Sequence, residues 1–300
     1  LVHDTYYQVN NYVSMVRVDH DTYAIAYYGY NLPTDNALGG FIKTFTVNNG
    51  AITEVAVYKH NTSTSEHNDF IHVAGNTFAL AWTDNSSDGN ITTFTISNDG
   101  ATITEVASLE HDTDNGNYNS ISKVDSDTYV LAYSGSGNDG YIKTFTIAAD
   151  GATITQVTSL EHDDTYGIDN SLVRSNNNSF LLAYSGNGDD GYLKTFTIPD
   201  DGSSITQVTS NEHDPNYGRY NSMVQIDHDS YALAMYGTHT RTGTSSTGAY
   251  IRAIDTPGLA TATVPRISSV APAADNSTVV VTFDEPVYNT SGGSGAFQAS

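Results

Sequence analysis

Leu109-Glu110-His111-Asp112, Leu160-Glu161-His162-Asp163 and Asn211-Glu212-His213-Asp214 are three copies of one tetrapeptide, each 51 residues from the next. A further 51 residues back stands His60, in Tyr58-Lys59-His60-Asn61, and 57 before it His3, in Leu1-Val2-His3-Asp4. Visible insertions account for the longer first step. Five registers of one unit therefore fill residues 1 to about 255. A fixed period of this size marks a repeat architecture, in which each unit buries its apolar face against its neighbours.

Within a unit, four strand signals recur. In the third they are Ser120–Val124, Tyr129–Ser134, Tyr141–Ile147 and a fourth like Ile103–His111 of the unit before. The strand residues are β-branched or aromatic, and the breaks are Gly, Asp and Asn, as hairpins require. No segment sustains a helical period. Four short antiparallel strands per 51 residues describe a propeller blade; a sandwich would need about seven per unit. Apolar residues on both faces of Tyr192-Leu193-Lys194-Thr195-Phe196 suit a blade with a neighbour on each side.

The expected fold is thus all-β, a five-bladed β-propeller of four-stranded antiparallel blades over residues 1–256. A linker at 257–264 and an incomplete immunoglobulin-like segment at 265–300 follow. The last blade shows only three strands, Ser222–Ile226, Tyr231–Tyr236 and Tyr250–Asp255, while Leu1–Asp4 is a fourth strand with no blade. Pairing these two would seal the ring and set the count at five. The start at Leu1 without Met and the stop at Ser300 in mid-pattern suggest a piece of a longer polypeptide.

Composition limits the partners. Asp and Glu number 34 against 11 Lys and Arg, for a net charge of −23. A phosphate backbone needs a basic stripe, so nucleic acid is not an expected partner. No apolar run nears the ~20 residues that cross a bilayer as a helix, so no membrane insertion is expected. With no Cys, disulfides and thiolate metal sites are excluded. The 21 Tyr and 10 Phe supply bulk for a core.

The Leu-Glu-His-Asp units resemble the repeats of large secreted bacterial surface proteins, over residues 1 to about 255. Those repeats have no settled biochemical role; the resemblance implies an extracellular or cell-surface setting and brings no catalytic residues. The tail, with Ser269-Val270-Ala271-Pro272 and Val279-Val280-Val281-Thr282-Phe283-Asp284-Glu285-Pro286-Val287, resembles the start of bacterial immunoglobulin-like modules.

Candidate chemistry is sparse. His111, His162 and His213 recur once per blade and suggest a repeated ligand contact. The competing reading is that each His and its Asp cap a strand and bond loop backbone. A metal shared between them is not expected, since equivalent positions of an outer strand lie far apart. The loops Ser136–Gly140 and Gly186–Gly191 invite weak calcium binding, yet lack the alternating ligands of an EF-hand loop. No cofactor is expected. Lys43, Lys143, Lys194 and Arg252 recur in the third strand and are expected to pair across to fourth-strand positions such as Glu54 and Glu105. Ser97-Asn98-Asp99-Gly100-Ala101-Thr102 resembles the Asp-box turn of sialidase-type blades, but is one residue short and lacks the Trp.

Two insertions break the repeat, Tyr28–Gly40 in blade 1 and Thr238–Gly248 in blade 5. Ring closure would make these loops neighbours, and Tyr28, Tyr30, His239 and Arg241 become the unique candidates for a ligand site. Acids recur by register rather than at unique positions, and no nucleophile elbow, His-Glu-x-x-His or phosphate loop occurs, so catalysis is not expected. The expected role is a non-catalytic extracellular module for adhesion, binding glycans or another surface ligand. Alternatives are a self-associating subunit of an extracellular fibre, and a propeller glycoside hydrolase.

Overall fold

The structure is a computed structural model that describes residues 12–31, 35–176, 178–227, 230–241, 244–255, 267–272 and 279–283. The chain divides into two units, Leu1–Asp255 and Thr256–Ser300.

The first unit carries five antiparallel sheets in chain order. Blade 1 is β1 (Ser14–Arg17), β2 (Thr22–Asn31), β3 (Asp35–Asn48) and β4 (Ala51–Asn61). Blade 2 is β5 (Glu66–Ala74), β6 (Thr77–Thr83), β7 (Gly89–Ile96) and β8 (Ile103–Asp112). Blade 3 is β9 (Asn117–Lys123), β10 (Thr128–Ser134), β11 (Gly140–Ile147) and β12 (Ile154–Asp163). Blade 4 is β13 (Ile168–Asn176), β14 (Ser179–Ser185), β15 (Gly191–Thr197) and β16 (Thr206–Asp214). Blade 5 shows β17 (Gly218–Asp227), β18 (Ser230–Arg241) and β19 (Thr244–Asp255). The all-β, five-bladed architecture agrees with the repeat. The expected fourth strand of blade 5, Leu1–Asp4, lies outside the described residues.

Core formation follows from the strand pattern. The second and third strands show one face to each neighbouring blade. The forward face of blade 2 (Ala79, Ala81, Ile91) packs on the back face of blade 3 (Ile121, Tyr129, Leu131, Tyr133, Phe145). The same arrangement joins blades 1 and 2, 3 and 4, and 4 and 5. Small residues on one face admit large ones from the next, so the faces interdigitate.

Polar links repeat with the packing. The hydroxyl of Thr44 donates to the Gly100 carbonyl of the next blade at 2.7 Å, as Thr93 does to Gly151 and Thr144 to Gly202, both at 2.8 Å. Those three glycines hold φ of 72°, 76° and 66° at the tip of the hairpin joining third and fourth strands, where only Gly is unstrained. In the first of these turns, Asp99 accepts from the Ser97 hydroxyl and the Ala101 amide. That is side-chain turn chemistry.

The lysines pair differently from expectation. Lys43 does reach Glu54 across its own blade at 3.3 Å. Lys143 and Lys194 instead reach back to the preceding blade, where Lys143 meets Asp112 at 3.4 Å and Lys194 meets Asp163 at 3.6 Å. Arg252 reaches Asp214 at 3.9 Å. The cause is that the His-Asp end of each fourth strand leads into the next blade, beside that blade's third-strand cation. Lys143 and Lys194 also cap the carbonyl of the preceding histidine and lie over a tyrosine ring.

The two insertions are extensions of hairpins rather than long loops. In blade 1, β2 and β3 stay paired out to Asn31 and Asp35, and in blade 5, β18 and β19 out to Arg241 and Thr244. In the second unit, β20 (Ile267–Pro272) and β21 (Val279–Phe283) form one antiparallel pair. The remaining tail residues lie outside those described.

Candidate functional site

Every innermost strand from blade 2 to blade 5 begins with a break in register. The pairing jumps between Glu66 and Asp69, and between Ile168 and Ser171, and likewise at the equivalent points of blades 3 and 5. Two residues bulge at each break, and the first takes a left-handed backbone: His67 at φ 49°, Tyr118 at 53°, Asp169 at 53° and Tyr220 at 56°. Bulges re-aim side chains, and non-glycine residues held left-handed cluster at functional sites. Here they line one cavity of 380 Å³ together with Tyr12 and Val13 of blade 1 and the following residues Asn68, Asn119, Asn170 and Asn221. Residues from all five blades therefore meet at the centre of the unit.

The asparagines hold the rim in place. Each Asn Nδ2 donates to the carbonyl three residues earlier in its own turn, at 2.9–3.2 Å. Asn68, Asn170 and Asn221 also donate to the bulge residue of the preceding blade, Tyr12, Tyr118 and Asp169 in turn, at 3.0, 3.3 and 3.4 Å. Below them, a side-chain oxygen of each blade accepts an amide of the next: Ser14 from Phe70, Asp69 from Ile121, Ser120 from Leu172 and Ser171 from Met223, at 2.7–3.0 Å.

Aromatic rings share the lining with these asparagines. Tyr12 and His67 have ring centroids 3.8 Å apart, and His67 and Tyr118 are 4.2 Å apart. On the far side Arg219 lies over the Tyr220 ring at 5.3 Å. Its Nε meets Asp169 at 2.7 Å and its Nη1 meets Asp189 at 3.0 Å. Burial opposes the charge of Arg219, but the two carboxylates outweigh it and hold the guanidinium protonated above its usual range. Burial raises the Tyr12 hydroxyl to about 12 and lowers His67 to about 3. Tyr118 is raised by burial and by the Asp169 charge. At neutral pH the cavity therefore offers neutral phenols, a neutral imidazole, amides and an internally matched ion pair. Asp169 is the sole carboxylate among the described lining residues, and it accepts from Arg219 and the Tyr220 amide. Asp69, raised to about 6 by burial, lies outside this lining and accepts from Ser14 and Ile121.

The histidines expected to touch a ligand are elsewhere. His111 and His162 are 4% and 7% exposed. His60, His111 and His162 are lowered to about 3, and His213 to about 4, chiefly by burial. Each ring lies on a third-strand glycine, His111 on Gly89, His162 on Gly140 and His213 on Gly191. The capping falls to the aspartates: Asp112 accepts from the Asp114 and Asn115 amides and from the Tyr133 hydroxyl. Tyr28 and Tyr30 are half-buried on β2, where the Tyr30 carbonyl accepts from the Tyr27 hydroxyl. His239 and Arg241 lie on β18, and their side chains fall outside those described. Among the described residues, no three His, Asp or Glu side chains converge as a metal site.

The axial residues were missed in the sequence because the residue type at their position varies between units. A signal was present: Tyr118-Asn119-Ser120, Asp169-Asn170-Ser171 and Tyr220-Asn221-Ser222 combine a constant Asn-Ser with a changing neighbour.

No family model matches the chain, and no curated protein matches it. Solved structures do. A Dyadobacter fermentans protein of unknown function superimposes with TM-score 0.52 at 14% identity, over 80% of this chain and 75% of its own. A Bacteroides fragilis protein, provisionally a 6-phosphogluconolactonase, gives 0.52 at 13%, over 81% and 70%. The K499G mutant of NanB sialidase from Streptococcus pneumoniae gives 0.51 at 12%, over 66% and 32%. At such identity the likeness is one of fold alone.

Proposed function

We propose that this protein is a non-catalytic extracellular binding module that takes a glycan at the axial cavity. One observation carries the reading: tyrosine rings and asparagine amides from successive blades converge on a single cavity of 380 Å³, within the size of small-molecule sites. Aromatic faces suit the C–H faces of a sugar ring, and amide, phenol and imidazole groups suit its hydroxyls. The non-catalytic part is supported by the lining, since most glycoside hydrolases work with a pair of carboxylates and the described lining holds Asp169 alone. The extracellular part is supported by the likeness of the repeats to secreted surface proteins.

The test is a glycan array with the whole chain, with and without calcium, followed by NMR titration of any hit. Binding that survives His162→Gln but falls at least tenfold in Tyr118→Ala agrees with the proposal. An array blank in both conditions removes the glycan, and turnover of an arrayed glycan removes the non-catalytic role.

A further inference from the structure

Each blade–blade contact uses the same positions, so a face without its neighbour can be recognised residue by residue. The forward face of blade 4 presents Val173, Ala183 and Leu193 to blade 5, where Leu193 is 8% exposed. The same positions of blade 5 are Val224, Ala234 and Ile251, and there Val224 is 59% and Ile251 80% exposed. Ile226 and Tyr236 extend this bare apolar face.

Blade 1 shows the opposite half. The inner-strand residue that plugs into the preceding blade is Phe70, Ile121, Leu172 or Met223 in blades 2 to 5, each 5–7% exposed. Its counterpart in blade 1, Met15, is 65% exposed. The polar link is split in the same way. Ser171 accepts the Met223 amide, and the next such pair would be Ser222, which is exposed, with the amide of Met15.

We propose that the forward face of blade 5 docks on the back face of blade 1 of a second copy of this chain, head to tail. Val224 and Ile251 then cover Met15 and Ile25, and the Ser222 hydroxyl accepts the Met15 amide. The occupant is identified by continuity with four interfaces already formed in the molecule, whose residues it reproduces. One chain carries both halves, yet within that chain both stay exposed, so the partner is another copy. Among the described residues β19 pairs with β18. Two different patches make a heterologous contact, which builds chains or rings of copies rather than a closed pair. The charge of −23 opposes approach, so the contact tightens as salt screens it.

Sedimentation of the whole chain at about 150 mM salt tests this, with Met15→Lys and Ile251→Lys as variants. Both substitutions lie on exposed positions, and circular dichroism checks that each variant folds. The wild type is expected to associate with rising concentration, each variant alone to associate at least 100-fold more weakly, and the two mixed to form a 1:1 dimer. The mixture restores one intact pair of faces, which a general effect on folding would not do. A wild type that stays monomeric throughout, or variants that associate like it, overturns the proposal.

Discussion

Gly140 lies directly beneath the imidazole of His162: a Cβ built on the glycine would sit 2.5 Å from the ring's Cε1. Gly89 with His111 and Gly191 with His213 repeat the contact. The Leu-Glu-His-Asp unit is thus a packing element in its histidine and an inter-blade clasp in its aspartate. Gly140→Ala forces the ring off its site, and overpacking of this kind costs about 1–3 kcal/mol. Chemical denaturation should show that loss, with Gly137→Ala at a solvent-facing turn as a control limited to backbone strain.

The buried histidines set the acid limit of the fold. Their folded values, about 3 for His60, His67, His111 and His162 and about 4 for His213, lie below the unfolded value near 6.5. Between the two the unfolded chain binds more protons, so stability is full above pH 6.5 and falls as pH drops. Each histidine removes roughly 1.4 kcal/mol per pH unit in that window. Asp69 acts oppositely, because its folded value of about 6 exceeds its unfolded value, and it favours folding as pH falls from 6 towards 4. Five histidines outweigh one aspartate. Unfolding is expected between pH 4 and 6, and His162→Leu should flatten the slope of stability against pH below 6.5.

Tyr133 donates to Asp112 at 2.7 Å while Lys143 approaches the same carboxylate oxygen at 3.4 Å. Tyr133→Phe removes one donor from a half-buried carboxylate and should cost about 1–2 kcal/mol. Lys143→Met also uncaps the His111 carbonyl and should cost more. Both losses appear as lowered Tm by calorimetry.

The Arg219–Asp169 pair closes one side of the axial cavity. Arg219→Met leaves Asp169 buried without its partner, and such a break costs about 3 kcal/mol. Adding Asp169→Asn should recover much of that loss, since Asn tolerates the left-handed backbone and carries no charge. A double-mutant cycle in urea measures the coupling.

Much of this was legible in the chain, for physical reasons. A 51-residue spacing survives any folding detail, and β-branched and aromatic runs between Gly, Asp and Asn mark strands whatever they pack on. Blade count, strand order and the apolar character of both faces followed from these. The insertion at Tyr28–Gly40 was misjudged as loop because Gly and Asn read as breaks, whereas here Tyr28 pairs with Gly40, Gly29 with Gly39 and Asn31 with Asp35. Lys143 was assigned to its own blade, since sequence spacing shows cross-strand neighbours but not which blade's carboxylate lies nearer.

The repeated His-Asp unit shows the division most clearly. Sequence alone determined that it recurs once per blade at the end of a fourth strand, because recurrence is a property of spacing. Whether its histidine meets solvent or glycine depended on what the third strand places opposite, and only the assembled blade decides that. The axial site is more dependent still on tertiary structure. Tyr12, His67, Tyr118, Asp169 and Tyr220 are some fifty residues apart in the chain and become neighbours only because successive blades converge.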